Sequence, residues 1–417
     1  MIQYKKALLK LKKNKIKIKS ELISAENSLN RISALDINSP NNYPAANNTA
    51  FDGFAINSKE TNKINNKNTI KFRIIKTLAA GDNPKIKKIS KFSTIEVTTG
   101  AIIRKPFDTV IPIEQIKFFP NSTKPKYIII NKKIKKNNFI RFLGSDFKKG
   151  ERIIKKGEIV NSQHILAFKT LGVRKILVKK KPKIIFYSTG NEISNKTKVP
   201  YWKVRNSNNY YLKSFLKNLP FNFIEKKILR DNDSIKFKNE IKVNLKSNTD
   251  IIITSGAVSA GKFDFIPKII KNFKLKYFFK GSYIRPGKPI MFAKFKKNKV
   301  FFGLPGNPIS SAACFRFFVL PFLYLSTGVV ENKPIKSKIK NQLIKKKNFT
   351  RFIKGKLSFS KKGIAEFEVY KGQESYKINP LTKSNAWGVF KQGVSNFKKG
   401  SYIKCYSISG FNEILMK

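Results

Sequence analysis

Acidic residues are scarce in this chain: 24 Asp and Glu stand against 87 Lys and Arg, a formal net charge of +63 over 417 residues. Such a balance ordinarily signals a nucleic-acid or anionic-membrane partner. Its make-up points elsewhere. Only 11 of the basic residues are Arg, and Lys, Asn, Ile and Phe are swollen together while Ala and Gly are thin. Those are the residue types of A/T-rich codons, and the lysines are spread along the whole chain instead of massed on one face. Compositional drift explains the charge more simply than a polyanion partner.

Histidine is nearly missing too. With His164 alone, a zinc site built on His is excluded, and a Ser-His-Asp triad would have to use that one residue. His164 falls in a segment, 162–171, that reads as a helix, where its role is structural. Two cysteines, Cys314 and Cys405, are too few and too far apart for a disulfide framework or a metal knuckle. No continuous apolar core follows Met1, so the N-terminus does not read as a signal peptide. The most apolar run, 314–325, is broken by Arg316 and Pro321 and is too short to span a bilayer. These absences predict a soluble, cytoplasmic protein with no membrane and no specific nucleic-acid partner. A hydrophobic content of 41% over this length supplies cores for about two to four domains.

Chemistry-bearing residues concentrate in 250–311. Ile251 to Thr254 form a β-favouring apolar run that opens into TSGAVSAGKFDF, residues 254–265. This reads as a buried parallel strand delivering a small-residue loop at its carboxyl end, where Gly and Ser let a ligand approach the backbone. Asp264 adds a carboxylate on the loop rim. RPGKP, from Arg285 to Pro289, sets two cations on a backbone stiffened by two prolines. GLPGNPIS, residues 303–310, is a tight turn opening a helix, and a helix N-terminus suits an anion. One carboxylate, two cations and an anion-binding turn predict an enzyme site for a phosphorylated or oxyanionic ligand.

In this order and spacing the three motifs resemble those of the molybdopterin molybdenumtransferases, the MoeA and gephyrin E-domain family, with Ala257 in place of the second Gly of its T-S-G-G-V-S pattern. The resemblance covers nearly the whole chain. PAANNTAFDGFA, 44–55, is similar to the family's P-x-F-D-N-S-A-M-D-G-Y-A, with Ala46, Asn47, Thr49, Phe51 and Phe54 differing and the second carboxylate, Asp52, kept. On the residues alone a D-G pair reads as a turn; the resemblance makes Asp52 a site candidate. VTTGA, 97–101, and DTVIPIE, 108–114, match further family segments, with Thr99 at the active-site threonine position. RFLGSD, 141–146, keeps Asp146 but has Ser145 where the family has Glu. STGNE, 188–192, and NSNNYYL, 206–212, follow their family patterns, with Asn206 or Ser207 as helix N-cap. RDND, 230–233, follows a second strand where the family has a D-D or D-N pair, with Asp231 as the carboxylate at that position. Near the C-terminus FTRFIK, 349–354, departs from R-x-[ED]-F-x-R: Phe349 replaces the first Arg and Arg351 the acid. Gln373 to Ser375 and Ser384-Asn385 match.

The expected architecture is multidomain α/β plus β. A discontinuous, elongated N-terminal subdomain takes 1–51 and 138–181, with residues 1 to about 35 read as helix on the spacing of Glu26, Leu29 and Ile32. A β-rich inserted subdomain takes 52–137. A doubly wound, MoaB/MogA-like α/β domain takes 182–328, as its strand–helix alternation predicts, and a small C-terminal β-domain takes 329–417.

The resemblance implies insertion of molybdate into adenylylated molybdopterin with release of AMP. It implies Mg²⁺, since a hard cation takes oxygen ligands and bridges pyrophosphate charge. Asp52, Asp146, Glu192, Asp231, Asp264 and Thr99 are the implied catalytic residues, with Asp52, Glu192 and Asp264 as metal ligands. Ser188, Gly190, Ser255, Gly256, Ser259, Arg285, Lys288, Pro289, Gly306, Asn307, Ser310 and Ser375 are the implied substrate contacts. Arg351 joins them as a replacement for the cation lost at Phe349, because its planar fork suits an oxyanion. The implied partners are a second copy of the chain, as an elongated homodimer, and a molybdopterin adenylyltransferase. Three other readings stay open: a molybdopterin adenylyltransferase itself, a non-catalytic scaffold related to the family, and a polyanion-binding protein.

Overall fold

The computed structural model describes residues 1–65, 68–257, 266–273, 275–295, 298–329 and 334–408. Helix is confined, at the N-terminus, to Tyr4–Lys13, which turns Ala7 and Leu11 into the core. The expected helix through residue 35 does not form. From Lys15 to Lys19, Ile16 and Ile18 are buried while the intervening lysines are exposed. That alternation has a period of two and suits extended chain. Ser20–Ser24 continues as a strand antiparallel to Lys175–Lys179. Glu26 lies in a 3-10 turn, Leu29 is exposed and Ile32 is fully buried, so the three share no helical face.

Further antiparallel pairings join Ile37–Asn38 to Arg152–Ile154 and Asn48–Thr49 to Ile140–Arg141. The helix Ser162–Leu171 packs Phe168 against Ile154, Val160, Ile176 and Val178. His164 sits at its start as the sequence predicts: its backbone N–H donates to Asn161 Oδ1, and its Nδ1 accepts from Asn161 N–H. This reciprocal cap satisfies two orphan helix donors.

The chain between these pairings forms a six-stranded sheet in the order Thr109–Pro112, Gly53–Ile56, Ser93–Val97, Ile70–Leu78, Tyr127–Ile130, Lys117–Phe119. Strand alternation feeds a core on each face: Ala55 points to one with Val97 and Val110, Phe54 and Ile56 to the other with Phe72 and Ile111.

A second six-stranded sheet runs Asn222–Glu225, Lys183–Ser188, Ile251–Ser255, Lys299–Leu304, Met291–Phe295, Leu275–Lys280. The first four strands are parallel, and the last two add antiparallel pairings. Ile251 and Ile253 pack one face against the helices Ser207–Leu216 and 308–327. Ile252 packs the other against Phe237, Ile241 and Ile270. Helices on both faces make this the doubly wound domain that the strand–helix alternation predicts.

The apolar run at 314–325 belongs to a longer helix than its sequence breaks suggest. Pro308–Thr327 is continuous for 20 residues and almost wholly buried within the protein. A π-turn at Phe315–Val319 lets Pro321 follow without ending the helix. Arg316 is buried and donates from Nε to Ser407 O. By length and composition it could cross a membrane; here it is a core helix.

In the C-terminal region Thr350–Phe359, Ala365–Val369, Ile335–Ile339, Tyr402–Ser407 and Ala386–Phe390 pair in that order, and the last pairs back with the first. This closed ring surrounds Ile353, Phe367, Phe390 and Cys405. Ile284–Arg285, from the preceding domain, adds in parallel to its Thr350–Phe359 strand.

Candidate active site

Three strand ends of the doubly wound sheet meet. After Lys183–Ser188, Thr189 N–H and Oγ1 donate to Ser255 O at 2.9 and 3.0 Å. After Ile251–Ser255, Gly256 N–H donates to Leu304 O at 3.0 Å. Asn208, on the first turn of Ser207–Leu216, donates from Nδ2 to Ser255 Oγ at 2.7 Å and to Gly306 O at 2.8 Å. Ser255 Oγ donates in turn to Pro305 O. Gly256 has φ +99°, and a Cβ there would lie 2.5 Å from Thr189 O, so only Gly lets the two loops close up. Ala257 follows at φ +50°, a left-handed backbone carried by a residue with a Cβ.

The loop of Gly190 and Glu192 is held from outside. Arg230 Nη1 donates to the carbonyls of Gly190, Asn191 and Ile193 at 3.1, 3.2 and 2.8 Å. Asp231 N–H donates to Asn191 Oδ1. The Glu192 carboxylate folds over Gly190, where a Cβ would approach it to 2.3 Å. Ser188 Oγ donates to Asn206 Oδ1 at 2.6 Å. The expected N-cap Asn206 is therefore committed to Ser188 and makes no side-chain cap bond.

The two cationic motifs sit where the domains join. Gly287 packs on the Pro308–Thr327 helix, since a Cβ there would fall 2.4 Å from Cys314 Sγ. Burial pushes that thiol up. Arg285 pairs in register with Arg351 across parallel strands. Arg351 is half-buried, and its Nε has no hydrogen-bond partner among the described residues. Burial, then the Arg285 charge, pull its guanidinium down, with Glu374 opposing. Phe349 leans on the Tyr283 ring at 6.2 Å between centroids. Asn307 Nδ2 donates to Ser375 Oγ at 3.3 Å, tying the turn before the long helix to the C-terminal domain. Lys288 is exposed, Pro289 half-buried and Ser310 buried beside them.

Asp52 stands elsewhere, at the end of the inserted sheet. Gly53 lies so close to its neighbouring strand that a Cβ would meet Ile111 O at 2.0 Å. Thr99 N–H and Oγ1 donate to Asp52 Oδ1 at 2.6 and 2.9 Å. These donors, the backbone one foremost, hold the carboxyl below its ordinary range. Asp146 is exposed in a cleft of about 790 Å³ lined also by Tyr43, Asn48, Arg141 and Lys149.

The structure thus brings together Ser188, Gly190, Glu192, Asp231, Ser255, Gly256, Gly306, Asn307 and Ser375 through the contacts above, and sets Arg285 beside Arg351. Among the described residues no hydrogen bond or ion pair joins Asp52, Thr99 or Asp146 to that group. Nor, among them, do three or more His, Cys, Asp or Glu gather as a metal-holding group. Ser259, Gly261 and Asp264 lie outside the described residues. Thr189, Asn208 and Arg230 organise the crevice without having been singled out as site residues; the NSN run at 206–208 was the available signal for Asn208.

A parallel sheet whose strand ends open on a glycine-tight crevice, flanked by two β-rich regions, defines a multidomain α/β enzyme with its site at the carboxyl ends of the strands. The chain matches in succession the MoeA N-terminal region (domain I and II) over 2–172, a probable molybdopterin binding domain over 185–324, and the MoeA C-terminal region (domain IV) over 336–408. It is 29% identical over 406 residues to a molybdopterin molybdenumtransferase of Staphylococcus epidermidis, covering 96% of this chain and 94% of that one. A Staphylococcus aureus relative of the same name is 29% identical over 404 residues, with the same coverage. The fold superposes on two crystal structures of a molybdopterin biosynthesis MoeA protein from Pyrococcus horikoshii. One gives a TM-score of 0.83 at 24% identity, covering 99% of this chain and 100% of that one. The other gives 0.79 at 25% identity, covering 97% and 99%. The chain belongs to the MoeA family.

Proposed function

We propose that this enzyme is a molybdopterin molybdenumtransferase, which inserts molybdate into adenylylated molybdopterin and releases AMP, in the cytoplasm. The observation that carries the reading is the Asn307–Ser375 contact, which closes the crevice with a residue of the C-terminal domain in a chain of this family. The loops of Ser188, Gly190, Ser255, Gly256, Ser259 and Gly306 receive the molybdopterin phosphate, because small residues and backbone N–H groups admit an anion closely. Arg285, Lys288, Ser310, Ser375 and Arg351, with Pro289 stiffening the turn, hold molybdate, a small dianion. Asp52, Asp146, Glu192, Asp231 and Asp264 are the carboxylates that orient the attacking oxygen, and Thr99 fixes Asp52.

Mg²⁺ would be held by Asp52, Glu192 and Asp264, and would offset the charge of the phosphoanhydride. The donor chemistry of Asp52 fits: its carboxyl stays ionised, and Thr99 occupies Oδ1 alone. Among the described residues Asp52 bonds to Thr99 and makes no hydrogen bond or ion pair with the crevice, which supports a homodimer in which Asp52, Thr99 and Asp146 of one protomer face the crevice of its partner. Adenylylated substrate would come from a molybdopterin adenylyltransferase. A scaffold role draws on Phe349, which leans on the Tyr283 ring where a cation would serve molybdate.

Purified protein, adenylylated molybdopterin and molybdate decide between these. The transferase reading requires AMP release together with a product that activates an apo-molybdoenzyme. Tight molybdopterin binding with no AMP release would leave the scaffold.

A further inference from the structure

Lys354, in the C-terminal ring, is buried with its ammonium bonded, among the described residues, to carbonyls and to no carboxylate. Lys354, on Thr350–Phe359, is 1% exposed. Its Nζ donates to the carbonyls of Gly372, Glu374 and Lys377 at 3.0, 3.3 and 2.9 Å. All three belong to the loop that carries Ser375. The same strand position grips the loop again: Lys354 N–H donates to Gln373 Oε1 at 2.9 Å, and Gln373 Nε2 donates to Lys354 O and Tyr370 O at 2.8 and 2.7 Å. The loop has little apolar anchorage of its own, since Tyr376 and Ile378 are 67% and 57% exposed. Burying an ammonium is costly unless its donors are satisfied. Here all three Nζ–H groups are spent on carbonyls of one loop, whose Ser375 Oγ meets Asn307 at the crevice mouth.

We propose that Lys354 is a positioning residue: its ammonium, caged by three loop carbonyls, fixes Ser375 against Asn307 and so shapes the anion site between the domains. The anion part of this inference rests on the transferase reading above; the loop part does not. Burial brings the ammonium down to about 8, with Glu374 opposing and the charges of Arg351 and Lys377 adding to the fall. The cage therefore holds a cation at neutral pH and loses its charge as pH rises through 8.

Lys354→Met, Lys354→Arg, Ser375→Ala and the Met/Ala double variant test it, by molybdate titration calorimetry and amide exchange of residues 371–377. In Lys354→Met the loop amides exchange about tenfold faster, or more, while the strand amides of Thr350–Phe359 hold their protection. Molybdate binds about tenfold more weakly, and the double variant is no weaker than the worse single one, because both act through Ser375. Lys354→Arg restores exchange and binding to within about threefold, since five donors still reach the carbonyls. Wild-type affinity falls between pH 7 and 9, while that of Lys354→Arg stays flat. Unchanged loop exchange in Lys354→Met overturns the proposal, as do additive losses in the double variant. Should wild type bind no molybdate, the transferase reading fails, and loop exchange alone decides whether Lys354 is the clamp.

Discussion

At the crevice, Ser255, Asn208 and Gly306 are stitched within hydrogen-bond distance and two glycines leave no room for a Cβ. At the inserted sheet, Asp52 is exposed and its carboxylate is held through Thr99. The first region is tied together, among the described residues, by bonds within one chain. The second holds an ionised acid that, among the described residues, bonds to Thr99 and makes no hydrogen bond or ion pair with the crevice. That contrast is what the proposed site shared between two protomers requires.

Breaking the crevice gives the largest effect. Gly256→Val places a branched side chain at φ +99°, 2.5 Å from Thr189 O, and costs about 3 kcal/mol or more through clash and backbone strain. Thermal melting falls and molybdopterin binding is lost together. Asp52→Asn touches the other region and separates chemistry from folding. Its melting temperature stays near wild type, while AMP release drops about 100-fold or more, the scale of a lost acid–base or orienting carboxylate.

Smaller effects sharpen the contrast. His164 caps its helix through an Nδ1 that must stay unprotonated, and burial lowers its pKa from the ordinary 6.5. A depressed folded pKa means that the unfolded chain binds the proton more readily. The stabilising cap is thus fully present above pH 6.5 and is lost as pH falls below it; His164→Ala removes that dependence together with the acceptor for the Asn161 N–H, at a cost of about 1 kcal/mol. Urea melts at pH 7.5 and 5.5 measure both. Smallest is Ala257→Gly, which relieves the φ of +50° and stabilises by about 0.5–1 kcal/mol, with binding unchanged or tighter.

Ser188, Ser255, Gly256 and Asn307 were legible because each sits at a strand end, where the local pattern of apolar run and small residues carries the meaning. Asn208 was not: its role appears only when the sheet order sets residue 255 beside residue 306. The register that places Arg351 opposite Arg285 is equally non-local. The helix expected through residue 35 failed for the opposite reason, since Lys–Ile alternation from 15 to 19 speaks for extended chain and was outweighed by three residues at helical spacing further on. Lys354 was hidden inside a motif read for its missing Arg.

Mixing two inactive variants tests the shared site most directly. Asp52→Asn and Glu192→Gln, co-expressed with different tags, form heterodimers in which one site carries both lesions and the other none. Random assembly then restores about a quarter of wild-type AMP release, since half the dimers hold one intact site of two. Activity of the mixture no higher than that of either variant alone would contradict the account, placing Asp52 and the crevice in the service of the same chain or of no common reaction.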